Sequence, residues 1–320
     1  MDAAPLLNVL IKYWLPFIAI NVVIPALLAP LLDGIERRVR ARIQCRRGPP
    51  ILQTWYDLVK LFRKGAVTGG PIIFRLAPYI AFTVSILTLS LIPTLLNASL
   101  SFLGDTIVFM YLLAVPSVII SIGSIYTGSP LASVGSCREV SLWMAYELVF
   151  ALSVATLAID RSSLLLRNIL PPYPPLHPST ILAIAIIAFL TYAEGGRLPY
   201  EIPEAEPELA GGIVLEYGGA ELGLVKYALL VKRITLSTLL IDLILPRTWL
   251  TSILRSKMWF LGIGQVVVSA TYISLLVILS ITYSAIEALY GRLRLDQALS
   301  VLKKSVIIAG VAVLAALMGY

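Results

Sequence analysis

Glu194, Glu201, Glu204, Glu206, Glu208, Glu216 and Glu221 all fall within residues 194–221, together with one arginine, Arg197, and three prolines, Pro199, Pro203 and Pro207. Carboxylates crowded into a partly buried site raise one another's proton affinity, so such a group can take up and release a proton near neutral pH. Glu201, Glu204 and Glu208 stand at i, i+3 and i+7, a spacing that could set all three on one helical face, although Pro203 and Pro207 oppose a regular helix through them. A solvated acidic loop is the alternative. Leu198, Ile202, Leu209, Ile213, Val214 and Leu215 interleave the acids and favour burial, and with it a proton-handling role.

Other ionisable residues stand where charge is expensive. Glu147 lies about nine residues into an apolar run, and a carboxylate at that depth by default marks an ion or proton path. Glu139 is eight residues earlier, about 80° around a helix, so the two could face one cavity. A packing ion pair with a nearby Arg or Lys is the competing reading for both, more so for Glu139, which follows Arg138. The run 221–245 carries Lys226, Lys232, Arg233 and Asp242. These could neutralise the glutamates or continue a polar file through the bilayer, since a lysine, unlike an arginine, can give up its proton. Cys45 and Cys137 match no metal-ligand spacing, and the single histidine, His177, reads as a solvated residue of a proline-rich loop. No metal, haem or iron–sulfur site, and no catalytic residue, is expected on this chain alone.

The elements that must position these groups are membrane helices. Of 320 residues, 58% are hydrophobic and 13% charged, against about 25% charged in soluble domains. The fold class is all-α: a single polytopic membrane domain, 1–320, with about eight spans of roughly 20 residues. These are predicted near 9–32, 74–97, 106–126, 138–159, 179–194, 221–245, 260–285 and 303–319. Residues 127–137, TGSPLASVGSC, read as a small flexible loop. The N-terminus lacks a cleavable-signal pattern, so the first run reads as a retained helix. An even number of spans puts both termini on one side. With the termini outside, sixteen of the 25 Lys and Arg residues fall in inner loops and six outside, which satisfies the positive-inside rule. The net charge of +7 is then a matter of topology, and no nucleic acid is implied.

Within the inner loop 33–70, Arg37, Arg38, Arg40, Arg42, Arg46 and Arg47 precede Gly48-Pro49-Pro50, which ends any helix. Ile51, Leu52, Trp55, Leu58, Val59 and Phe62 then recur at helical spacing, with Asp57, Lys60 and Lys64 on other faces. This predicts an amphipathic helix in the membrane interface. The loop is either an anchor beside anionic lipid or a docking surface for a soluble partner.

Three motifs resemble one family. They are Glu36-Arg37, Gln44, Arg46, Gly48-Pro49, Leu52-Gln53 and the Asp57–Lys60 helix; Tyr146-Glu147; and Ala193-Glu194, Arg197, Pro199, Glu201, Pro203-Glu204, Glu206, Glu208-Leu209 and Glu216-Tyr217. The chain is similar to the membrane subunit 1 of respiratory complex I and its relatives in group 4 membrane-bound nickel–iron hydrogenases, over nearly its whole length. The resemblance implies a subunit that anchors a soluble redox arm and couples redox chemistry to antiporter-like, ion-pumping membrane subunits in the cell membrane. It implies proton coupling by Glu147, Glu194, Glu201, Glu204, Glu206, Glu208 and Glu216, and the placement of Glu139, Lys226, Lys232 and Asp242 in or beside apolar runs adds them to that expected set. It implies a redox-arm interface at Glu36, Arg37, Arg46, Gly48, Pro49 and Asp57, with the nickel–iron site and iron–sulfur clusters in partner subunits. Gly48-Pro49-Pro50-Ile51-Leu52-Gln53 departs from the Gly-Pro-Asn-Arg-Val-Gly-Pro text of quinone-reducing members and stands closer to the hydrogenase branch, and the sixth run lacks their second Glu-Tyr. A quinone-site subunit of a donor:quinone oxidoreductase is the alternative within the family. A stand-alone ion transporter and a purely structural anchor are the alternatives outside it, although no internal repeat of the transporter kind is visible.

Overall fold

The structure, a computed structural model, describes residues 15–65, 69–93, 102, 104–170, 177–245 and 263–319. Every regular element among them is helical: α1 Leu15–Ile43, α2 Gln53–Arg63, α3 Ile72–Leu91, α4 Asp105–Ile125, α5 Pro130–Arg161, α6 Leu166–Ile169, α7 Pro178–Ala193, α8 Glu206–Leu209, α9 Gly219–Ile244, α10 Ile263–Leu289 and α11 Leu295–Leu317. Helices occupy all eight predicted spans. The predicted stretches 9–14, 94–97 and 260–262 lie outside the described residues. Among the described residues, six helices are long and apolar enough to cross a bilayer, and the chain is a multi-pass all-α membrane protein.

Three helices differ from prediction in extent. α1 runs eleven residues past its predicted end at 32. Its charged last turns are held by partners, beginning with Arg37 Nε to Asp33, one turn back at 2.9 Å. α5 begins at Pro130, so most of the stretch expected to be a flexible loop is helix. Pro fits the first helical turn, and Ala132, Gly135 and Ser136 are buried there. A Cβ on Gly135 would meet Gly212 Cα at 2.9 Å, so the small residues permit a contact that longer ones would block. α11 begins at Leu295, before the predicted 303. Gln297 accepts from the Arg294 backbone N–H at 3.1 Å, and Ala298 and Leu302 are buried.

α9 organises the bundle. It packs against α1, α2, α3, α4, α7 and α10. It falls outside the six apolar spans because it carries Glu221, Lys226, Lys232, Arg233 and Asp242. Surrounded by protein, Lys232 and Arg233 meet partners instead of lipid tails, which is where membrane proteins place such charges. α7, 16 residues long, is short for a span; it packs on α5, α9 and α11. The apolar core joins α5, α7, α9 and α11 through residues such as Phe150, Ile187, Leu236 and Leu302.

Ion pairs and hydrogen bonds between helix termini sort the molecule into two ends. Arg40 at the end of α1 meets Glu287 at the end of α10. Arg138 in the first turns of α5 meets Glu208 in the acidic loop, and Arg292 between α10 and α11 meets Glu201. At the other end, Asp105 opening α4 accepts from Leu166 N–H, just after α5, at 2.6 Å. The basic loop and the acidic loop therefore share one end.

Candidate functional site

The central charged groups sit on two faces of α9, one residue apart. On one face, Lys232 Nζ lies 2.9 Å from Glu194 Oε1, and the two side chains are 5% and 7% exposed. The same ammonium donates to Ser117 Oγ of α4 at 2.9 Å. Glu139 of α5 lies within hydrogen-bonding reach of the Ser117 hydroxyl. Glu147 lies within the electrostatic reach of Glu194 and Lys232. Three expected acids, Glu139, Glu147 and Glu194, are thereby gathered around one expected lysine by α4, α5, α7 and α9. Glu194 reaches it because α7 ends at Ala193, which leaves Glu194 as its C-cap.

The second face gathers Arg197 of the acidic stretch and Arg233 of the charged run with Glu36, which was expected at a partner interface, and Asp33, which was not singled out. Arg197 Nη2 donates to Glu36 Oε1 at 2.6 Å, with both side chains 2% exposed, and its guanidinium carbon lies 5.0 Å from the centre of the Tyr283 ring. Arg233 donates through Nε to Gly195 O at 2.8 Å and through Nη1 towards Asp33 at 3.3 Å and Glu36 at 3.4 Å. Glu36 is thus interior. These four charged residues line a small cleft, shared with Ala29, Leu32, Leu230, Ile234, Ser237 and Ser280.

The rest of the acidic stretch grades from half-buried to exposed. Glu204 is half-buried. Burial pushes its carboxyl up to about 7, helped by the negative charges of Glu201 and Glu139 and opposed by Lys226 and Arg233. Glu208 is exposed, and the hydrogen bond and charge of Arg138 hold it below its ordinary value. Glu201 accepts from Arg292 at 2.9 Å. Glu216 and Lys226 are exposed. Lys226 and Asp242 stand apart from the central cluster: Asp242 is buried at 2% exposure but ten residues, about 15 Å of helix, beyond Lys232. Glu206 opens α8, and its side chain lies outside the described residues. The loop folds back tightly at Gly212, whose φ of +51° suits glycine and whose Cβ would strike Pro203 O at 1.9 Å.

At the basic loop, α2 is pinned to α1 and α9. Thr54 donates to Asp33 at 2.8 Å, Arg37 reaches Asp57 at 3.3 Å, and Trp55 meets Tyr227 edge to face at 6.2 Å. Gly34 allows the approach, since a Cβ there would lie 1.8 Å from Ile51 O. Gly48 packs closely on Arg38 and Ala41, with Pro49 half-buried beside it. Arg46 is exposed and donates to Gln44. Leu52, Tyr56, Val59 and Phe62 are exposed, whereas Leu58 is buried. Of the expected interface set, Arg37, Arg46 and Asp57 are accessible to different degrees and Glu36 is not. Cys45 and Cys137 are free and exposed. Among the described residues no three His, Cys, Asp or Glu side chains are grouped to hold a metal ion.

Sequence reasoning did not single out Asp33, Ser117 or Glu287. Asp33 had a signal, its position four residues before Arg37. Glu287 fell two residues past the predicted end of its span. Ser117 had none, because one hydroxyl in an apolar run gains meaning only from what the fold brings beside it.

The sequence matches the NADH dehydrogenase family over residues 15–318. It is 34% identical to hydrogenase-4 component C of Escherichia coli (strain K12) over 240 residues, covering 73% of this chain and 76% of that one. It is also 34% identical to formate hydrogenlyase subunit 4 of the same organism, covering 68% and 73%. A chain in the structure of the membrane-bound sulfane sulfur reductase, an archaeal respiratory membrane complex, shares the fold with a TM-score of 0.82 over 94% of this chain and 98% of that one, at 22% identity.

Proposed function

This chain belongs to the NADH dehydrogenase family, and on that premise we propose that it is the membrane-embedded anchoring and proton-coupling subunit of a complex-I-like oxidoreductase of the hydrogenase type. It sits in the cell membrane with both termini outside. The soluble redox arm, with a nickel–iron site and iron–sulfur clusters in its own subunits, docks at the end that carries the basic loop and the acidic loop. Antiporter-like membrane subunits receive the coupling. The similarity to the two hydrogenase-related proteins supports that branch, as does Gly48-Pro49-Pro50.

One observation carries the coupling role. Lys232 and Glu194 are paired at 2.9 Å, almost wholly buried, on the helix that six others surround. Glu139 and Glu147 lie beside them, and the acidic loop begins at Glu194 itself. Charge held at that depth costs several kcal/mol unless it is paired, and this pair consists of two groups that can both lose or gain a proton. Arg37 and Arg46 with Gly48, Pro49 and Asp57 form the face for the redox arm, while the exposed apolar residues of α2 rest on the bilayer surface.

The test is Glu147→Gln in the whole complex, purified and reconstituted in liposomes. The ion gradient built per redox turnover should fall to the background of uncoupled vesicles. A full gradient per turnover would remove the proton-coupling role and leave the purely structural anchor. Ion flux through this chain reconstituted alone would instead favour the stand-alone transporter.

A further inference from the structure

α4 contributes no ionisable side chain to the central cluster. Its buried Ser121 donates to a carbonyl oxygen of the preceding turn at 2.9 Å, and Ser124 shares its hydroxyl between Ile120 O at 3.0 Å and Ile213 O at 2.6 Å. Ser117, 3% exposed, is placed differently. Its oxygen accepts from Lys232 Nζ at 2.9 Å, which leaves the hydroxyl proton free to be given to Glu139, within its reach on α5. A hydroxyl is both donor and acceptor, and here one oxygen joins a cation on α9 to a carboxylate on α5.

We propose that Ser117 is a proton-relay residue, the link through which Lys232 and Glu139 exchange a proton. The inference rests on the coupling role proposed above and adds a residue and a direction to it. In the forward step Lys232 gives one ammonium proton to Ser117 Oγ while the Ser117 hydroxyl passes its own proton to a Glu139 carboxylate oxygen. One N–H bond and one O–H bond break, and one O–H bond forms at each of Ser117 and Glu139. Lysine is left as the neutral amine, Glu139 as the neutral acid, and Ser117 as it began once its hydroxyl has turned. The charge on the pair goes from plus one and minus one to zero on each, so the total is unchanged. A proton arriving on Glu194, 2.9 Å from the same nitrogen, restores the ammonium. The acidic loop is thereby connected to α5 through α9 and α4. An arginine in place of Lys232 could not serve, because a guanidinium does not give up its proton.

Three Ser117 variants of the whole reconstituted complex test the relay. Ser117→Ala removes the hydroxyl with little change in volume. Ser117→Thr and Ser117→Val differ from each other chiefly by a hydroxyl in place of a methyl group. The readout is ions moved per redox turnover. Positioned proton transfer contributes at least about a hundredfold where it limits a step, so Ala and Val should lower the ratio by about tenfold or more, while Thr stays near the parent. The hydroxyl pair decides even if Ala disturbs assembly, since Thr and Val impose the same shape. In a Lys232→Met background, Ser117→Ala should have no further effect. Equal ratios for Thr and Val, or a parental ratio for an assembled Ala variant, would overturn the relay. If Glu147→Gln still abolishes the gradient in that case, the coupling role stands without Ser117. If Glu147→Gln is also parental, the coupling role itself has failed.

Discussion

Lys232 and Arg233 are neighbours in sequence, yet they belong to different devices. About 100° of helix rotation separates them, so one cation faces Glu194 and Ser117 and the other faces Gly195, Asp33 and Glu36. The Arg233 side is a clamp. Two guanidinium groups, from Arg197 and Arg233, share the carboxylates of α1 and tie that helix to α9 and to the start of the acidic loop. Guanidinium groups stay charged, so the clamp holds geometry through every protonation state of its surroundings. The Lys232 side is a chain of groups that can each accept and yield a proton. Side by side, the two faces show how a membrane protein can keep charge at depth for two purposes, with the choice between Arg and Lys separating them.

The largest effect should come from breaking the clamp. Glu36→Gln leaves Arg197, 2% exposed, with no carboxylate at its Nη2. Removing one member of a buried pair costs about 3–5 kcal/mol, and the complex should assemble poorly or melt well below the parent. Glu194→Gln should cost less, because Lys232 keeps the Ser117 oxygen as a partner. Thermal unfolding of the two purified variants decides between them. Equal losses would erase the distinction between the faces.

Exchanging the cations is the next test. Lys232→Arg keeps the charge and the ion pair but removes the transferable proton, so ions moved per turnover should fall about tenfold or more in a complex that still assembles. Arg233→Lys keeps a charge but loses the fork that reaches Gly195, Asp33 and Glu36 together. It should weaken stability and leave the ion ratio near the parent. The reverse pattern, measured in the same liposomes, would reassign the two faces.

Much of the fold is written locally. Eight apolar runs and the Gly48-Pro49-Pro50 break locate the helices, because hydrophobic length and proline are local signals. The acidic stretch and Glu139, Glu147 and Lys232 stand out for a similar reason: charge inside an apolar run is visible without a structure. What is not local is pairing. Glu36 reads as part of a basic, solvent-facing inner loop, but α1 continues through it and buries it against Arg197, 161 residues later. Ser117 is one hydroxyl among apolar residues until α9 brings Lys232 to it. The start of α5 at Pro130 was hidden because small residues look flexible in sequence, whereas here they let two backbones touch.

The smallest expected effect lies between the two faces, at Glu204. Its carboxyl titrates at about 7, raised by burial and by Glu201 and Glu139, lowered by Lys226 and Arg233, against roughly 4.3 in an unfolded chain. The folded loop therefore holds a proton that the unfolded loop would release. The stability this contributes is fully present below about pH 4.3 and is lost as pH rises through about 7. Hydrogen exchange of residues 199–212, corrected for its intrinsic pH dependence, should show the loop opening more readily across that window. Glu204→Gln should remove the step. Glu139→Gln should move it to lower pH, because a neutral group there no longer opposes ionisation, whereas Arg233→Lys, which preserves the charge, should leave it nearly in place. An identical pH profile in Glu204→Gln and the parent would show that the loop does not report Glu204. A shift with Arg233→Lys as large as with Glu139→Gln would mean that the clamp and the relay are read by the acidic loop as one charge system rather than two.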